Sequence, residues 1–177
     1  VLVTTGATEA LTSSILAFVE PGDEVVALEP FFDSYPAAVQ MAGGRLRGVL
    51  LEPPDFAVTA EALESAVSSR TRVLLLNTPH NPPGAVLDAD AMTAVADVAR
   101  RHDLLVISDE VYEHLTFDGV AHVPISTLPG MAERTLTAGS AGKTFSVTGW
   151  KIGWLSGPPS LVSAARSVKQ YLSYVSG

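Results

Sequence analysis

Not one of the 177 residues is a cysteine, so neither a disulfide framework nor a thiolate-held metal can organise this chain. Cations are scarce too. Eleven Lys and Arg stand against 19 Asp and Glu, giving a formal net charge of -8 and a pI near 4.8. That balance argues against nucleic acid or an anionic membrane surface as partner, because either must be met by clustered positive charge. No apolar run approaches the roughly 20 residues of a membrane-spanning helix. No leader pattern precedes the first strand-like run, so a cytoplasmic setting is expected. The histidines His80, His102, His114 and His122 are scattered, and none stands four residues from another, which argues against a helical zinc motif. The pattern GxGxxG is absent, and with it the usual dinucleotide fingerprint. An initiator methionine is missing as well. Val1 already opens a strand pattern, and 173–177 ends without a cap, so a piece of a longer protein is expected.

What is present is a regular alternation. The hydrophobic fraction is 47% and the mean hydropathy +0.29, enough for one domain with strands buried on both faces. Strand-like runs fall at 1–4, 24–28, 45–50, 72–76, 104–108, 134–138 and 152–156. Helical patterns lie between most of them. The segment 7–19 places Leu11, Ile15 and Phe18 on one face, and 31–42 is a weaker helix with Pro36 in its first turn. Thr59 and Asp88 read as N-caps, the latter for a helix ending at Arg100-Arg101. A last helix spans about 160–174, after Pro158-Pro159. The pattern predicts an α/β domain of three layers (α/β/α) over residues 1–177, around a mostly parallel seven-stranded sheet. The connection from 134–138 to 152–156 lacks a crossover helix, so one strand is expected to run antiparallel.

Ligands of such sheets bind beyond the carboxyl ends of the strands. Four polar segments follow strands there: Thr5-Gly6-Ala7-Thr8, the run Asn77 to Gly84, Asp109-Glu110-Val111-Tyr112, and Ser140-Ala141-Gly142-Lys143. The last opens a stretch, 140–151, with two lysines, four hydroxyls and two glycines. Such a run builds no core and is expected to hold something anionic. It misses the P-loop pattern GxxxxGK[ST], because Thr137 replaces the first glycine and Gly149 soon interrupts any following helix.

These segments, with Glu29-Pro30-Phe31-Phe32-Asp33-Ser34-Tyr35 and Gly149-Trp150-Lys151, resemble the class I/II aminotransferases of fold type I. The resemblance runs along the whole chain, nearest to the kynurenine/glutamine and N-succinyldiaminopimelate aminotransferase-like branches. It implies the large domain of an enzyme that uses pyridoxal 5'-phosphate (PLP) to move an amino group from an amino acid to a 2-oxo acid, 2-oxoglutarate being the expected acceptor. It implies a homodimer as well. Lys143 would hold the cofactor aldehyde as a Schiff base and, once freed, carry the substrate proton. The helix start, with Gly6, Ala7 and Thr8, would form a phosphate cup with Ser140 and Lys151, the latter standing where many relatives carry Arg. Asp109 would face the pyridine nitrogen. Tyr112 and Asn81 would reach the ring oxygen with help from Asn77, and Phe32 would stack on the ring.

Plainer readings stand beside three of these. Thr8 can be ordinary polarity at a helix start, Asn81-Pro82 a simple turn, and Phe32 a core or interface aromatic. His80 receives no role, and Glu110 is expected to point away from the site. The family's arginine for the substrate carboxylate has no counterpart in this sequence, so 1–177 alone is expected to show little turnover. Two other functions stay open at this level: a C–S β-lyase of the same fold, and the sensor domain of a transcription regulator. A fragment that binds no cofactor at all is a third possibility.

Overall fold

Apolar runs bounded by turn residues form the strands, and amphipathic segments between them form the helices. The computed structural model describes residues 1–175; Ser176 and Gly177, the end of the expected domain, lie outside the described residues. In chain order the elements are β1 (Leu2–Thr4), α1 (Gly6–Phe18), β2 (Glu24–Glu29), α2 (Ser34–Met41), β3 (Arg45–Leu50), α3 (Ala60–Ala66), β4 (Thr71–Asn77), α4 (Ala89–Arg101), β5 (Leu105–Asp109), β6 (Thr135–Ser140), α5 (Ala141–Thr144), β7 (Gly153–Ser156) and α6 (Pro159–Leu172). Thr59 and Asp88 cap α3 and α4 as expected, accepting from the N–H groups of Ala62 and Ala91 at 3.2 and 2.8 Å.

Successive side chains of a strand face opposite sides, and β4 shows the consequence. Val73 and Leu75 enter an apolar cluster with α1, α2 and α6, whereas Leu74 and Leu76 enter another with α3 and α4. Both faces of the strand are therefore buried, which explains its unbroken run of Val and Leu. At roughly 1.5–3 kcal/mol for each large side chain taken from water, this double burial is the main force holding the three layers together.

The sheet order is β1-β7-β6-β5-β4-β2-β3. Strands β3, β2, β4, β5 and β6 are mutually parallel, and β7 runs antiparallel to both β6 and β1. The connection into β7 holds only the single turn α5 and a 3-10 turn, too little for a parallel crossover. Helix α2 starts at Ser34 rather than 31. The Tyr35 N–H bonds to the Phe32 carbonyl at 3.1 Å, leaving Phe31 and Phe32 in the loop before the helix. Helix α6 ends at Leu172, short of 174. Among the described residues no helix is long and apolar enough to cross a membrane.

This topology carries the four polar segments to one rim. Asn77 is the register partner of Asp109, and Asp109 of Ala138. Gly153, at the start of the reversed strand, pairs with Thr4 on one side and Ser140 on the other.

Candidate active site

A cavity of about 180 Å³ opens at that rim. All eleven residues singled out in the sequence border it: Gly6, Ala7 and Thr8 from the start of α1, Phe32 from the loop before α2, Asn77 and Asn81 after β4, Asp109 and Tyr112 after β5, and Ser140, Lys143 and Lys151 around α5.

Asp109 is the buried carboxylate of the lining. It closes β5, only 4% exposed, and the Tyr35 hydroxyl donates to its Oδ2 at 2.6 Å while the Val111 N–H donates to Oδ1 at 3.3 Å. Burial pushes its pKa up to about 6, with the two donors pulling down and the neighbouring Glu110 charge pushing up. Burial and the Asp109 carboxylate in turn raise the Tyr35 phenol well above its ordinary range. Glu110 does point elsewhere. It is buried, accepting from Ser108 Oγ at 2.9 Å and pairing with His122 Nε2 at 2.8 Å, which ties the loop after β5 back to the sheet.

Asn77 braces the next wall. Its Nδ2 donates to the Asp109 carbonyl at 2.9 Å, and its Oδ1 accepts from the Asn81 N–H at 2.8 Å. Asn81 therefore sits in a turn and on the cavity wall at once. Phe32 packs edge-on against Tyr35, with ring centroids 5.9 Å apart and planes at 83°. At 36% exposed it is no core residue of this chain. His80 is buried and does not line this cavity, and burial lowers its pKa.

Two cations, Lys143 and Lys151, also line the cavity. Lys143 projects from α5 with Nζ 5.6 Å from the Tyr112 ring centroid. Its chain environment is more open than its position after a buried strand suggests, since α5 is a single turn on the rim and Lys143 is exposed. Lys151 adopts a left-handed backbone, φ 53°, and its stem lies over Gly6, where an added Cβ would stand 3.8 Å from Cδ. Gly6 has φ +72°, a conformation open to glycine. Gly153 is required for another reason: a Cβ there would meet the Gly6 carbonyl carbon at 2.5 Å and the Ala7 nitrogen at 2.6 Å. The start of α1 can lie against β7 only because that side chain is missing.

Six further residues line the cavity that the sequence reading did not select: Leu11, Tyr35, Val111, Gly142, Thr148 and Ile152. Tyr35 matters most. Its signal was available, because a tyrosine at core spacing in α2 needs a buried partner for its hydroxyl.

The site's resemblance extends to whole sequences and structures. The family model described as aminotransferase class I and II matches residues 1–176. Kynurenine–oxoglutarate transaminase 3 of Rattus norvegicus is 45% identical, over 98% of this chain and 40% of its own length. The solved N-succinyldiaminopimelate aminotransferase of Mycobacterium tuberculosis is 54% identical with a TM-score of 0.96, over 98% of this chain and 46% of that one. An Escherichia coli protein, YbdL, whose structure is described with a methionine aminotransferase function, is 41% identical with a TM-score of 0.93, over 97% and 46%. The chain thus spans less than half the length of these relatives. On the family match over nearly its full length, the chain belongs to the class I and II aminotransferases.

Proposed function

We propose that these residues are the cofactor cradle of a PLP-dependent aminotransferase, and that 1–177 is the core of its large domain. The observation that carries this reading is one cavity lined together by a buried carboxylate, two lysines and a helix N-terminus. The donor set fits PLP. A carboxylate suits a protonated ring nitrogen, a primary amine suits an aldehyde, and the first N–H groups of α1, free of intrahelical acceptors, suit a phosphate. When bound, the cofactor supplies an electron sink for the bond broken at the substrate Cα.

The protein's own groups then divide the work. Asp109, braced by Tyr35, holds a proton on the ring nitrogen. Lys143 Nζ would supply the amine that holds the aldehyde carbon, its oxygen leaving as water, and once freed would move the proton taken from the substrate Cα. Tyr112 and Asn81 orient the ring through its oxygen, Asn77 fixes Asn81, and Phe32 covers one ring face. Gly6, Ala7, Thr8, Ser140 and Lys151 hold the phosphate, with Lys151 acting as a point charge rather than a bidentate fork. The substrates are an amino acid donor and a 2-oxo acid, 2-oxoglutarate by analogy with the transaminase named above. The intact protein is a cytoplasmic homodimer in this reading; exposed Phe145, Trp150 and Phe117 support a subunit or domain surface near the cavity.

Borohydride reduction of the intact, cofactor-loaded protein, followed by peptide mapping, tests the assignment. The label is expected on Lys143, and a label on another lysine overturns it. An amino-donor panel with 2-oxoglutarate then identifies the substrate.

A further inference from the structure

Helix α6 turns Val162, Ala165 and Lys169 inward, a spacing that belongs to one helical face. Two of these are apolar and the third is a lysine whose side chain is 5% exposed. A lysine so placed needs a partner. Its Nζ lies 3.7 Å from Glu9 Oε2 and 3.1 Å from Ser173 Oγ. Glu9 is nearly as buried, at 10% exposed, and its Oε2 accepts the Thr5 N–H at 2.6 Å. Glu9 thus belongs to the same first turn of α1 as Gly6, Ala7 and Thr8, but it is not part of the cavity wall, and none of the described α6 residues is either.

A carboxylate in this turn is favoured by the positive end of the helix, and for the same reason it opposes a second anion there. A cation such as Lys169, with Nζ 3.7 Å from Glu9 Oε2, offsets that opposition. We infer that Lys169 is a positioning residue of the phosphate cup, which pairs Glu9 so that the carboxylate secures the Thr5-Gly6 turn without repelling the anion in front of it. The inference rests on the proposal that the start of α1 receives the cofactor phosphate. It assigns a role to a residue with no contact to the cavity.

The test compares pyridoxamine 5'-phosphate with pyridoxamine, which lacks the phosphate; neither carries an aldehyde, so the affinity ratio isolates the anion. Both are titrated into intact protein freed of cofactor. Lys169→Met is expected to reduce the ratio roughly tenfold, with pyridoxamine affinity nearly unchanged, and Glu9→Gln in the same protein is expected to restore it. Should Lys169→Met not fold, Glu9→Gln alone carries the test: it keeps an acceptor for Thr5, frees the Lys169 charge and is expected to raise the ratio. Equal loss of both ligands in Lys169→Met shows a merely structural role and overturns the inference. An unchanged ratio in either single variant does the same. Wild-type protein that binds both ligands equally brings down the phosphate cup itself, and this inference with it.

Discussion

Asp109 is the residue on which most of the site's electrostatics turn. Its carboxyl is pushed from the ordinary 3.8 to about 6, chiefly by burial. A raised folded-state pKa stabilises the fold below the unfolded value, and that contribution is lost as pH rises through the folded one. Cofactor-free protein should therefore lose about 3 kcal/mol from this group between roughly pH 4 and pH 6. Asp109→Asn should remove that loss, so urea unfolding of the intact apo protein is expected to find the variant more stable at pH 7 and little changed at pH 4. With cofactor bound the order reverses, since the ring nitrogen loses its anionic partner and kcat should fall at least about a hundredfold. Tyr35→Phe acts on the same group from the other side. The Tyr35 hydroxyl holds the carboxyl down, so its removal should raise the Asp109 pKa above its present value. The cost in stability should be about 1.5–3 kcal/mol above pH 6, where the carboxylate is charged, and smaller near pH 4. Equal cost at both pH values would refute the hydrogen bond's charged character.

At the scale of elements, the contact between α1 and β7 sets the shape of the proposed phosphate cup. Gly153→Ala would place a Cβ within 2.6 Å of backbone atoms of Gly6 and Ala7, which cannot swing aside as a side chain end can. Stability should fall by about 1–3 kcal/mol, and affinity for the phosphorylated cofactor should fall with it, read by thermal melting and titration of the intact protein. Gly149→Ala is the matching control, because nothing stands within 4 Å of its added Cβ, and both properties should be retained. The sequence alone reveals the strands, the caps at Thr59 and Asp88, and the four polar segments, because periodicity and turn chemistry are local. It does not reveal that β7 lies between β1 and β6, since Leu2–Thr4 and Gly153–Ser156 are remote in the chain and their pairing is a tertiary choice. The need for glycine at 153 is hidden for the same reason. A tyrosine at core spacing in α2 calls for a buried hydroxyl partner, but that this partner is Asp109, 74 residues away at the end of β5, is a tertiary fact. Lys169 escaped notice because a lysine in a helix is ordinarily read as surface.

For the whole molecule, the lining of the cavity shows what the chain does and does not supply. Its cations are Lys143 and Lys151, one assigned to the aldehyde and one to the phosphate, and no arginine is among the described residues of the wall. In the proposed aminotransferase a substrate α-carboxylate would therefore find no bidentate partner on this wall, and orientation is a large share of the rate of such a reaction. Phe117, Phe145 and Trp150, each at least two-thirds exposed, make the same point for the surface: three large aromatic side chains in this part of the fold are left open to water. Residues 1–177 prepared alone should accordingly give no measurable transfer from any amino donor to 2-oxoglutarate, whereas the intact protein should turn over under the same assay. Brisk turnover by residues 1–177 would place the substrate clamp within this chain, and the division of labour proposed for Lys143 and Lys151 would have to be redrawn.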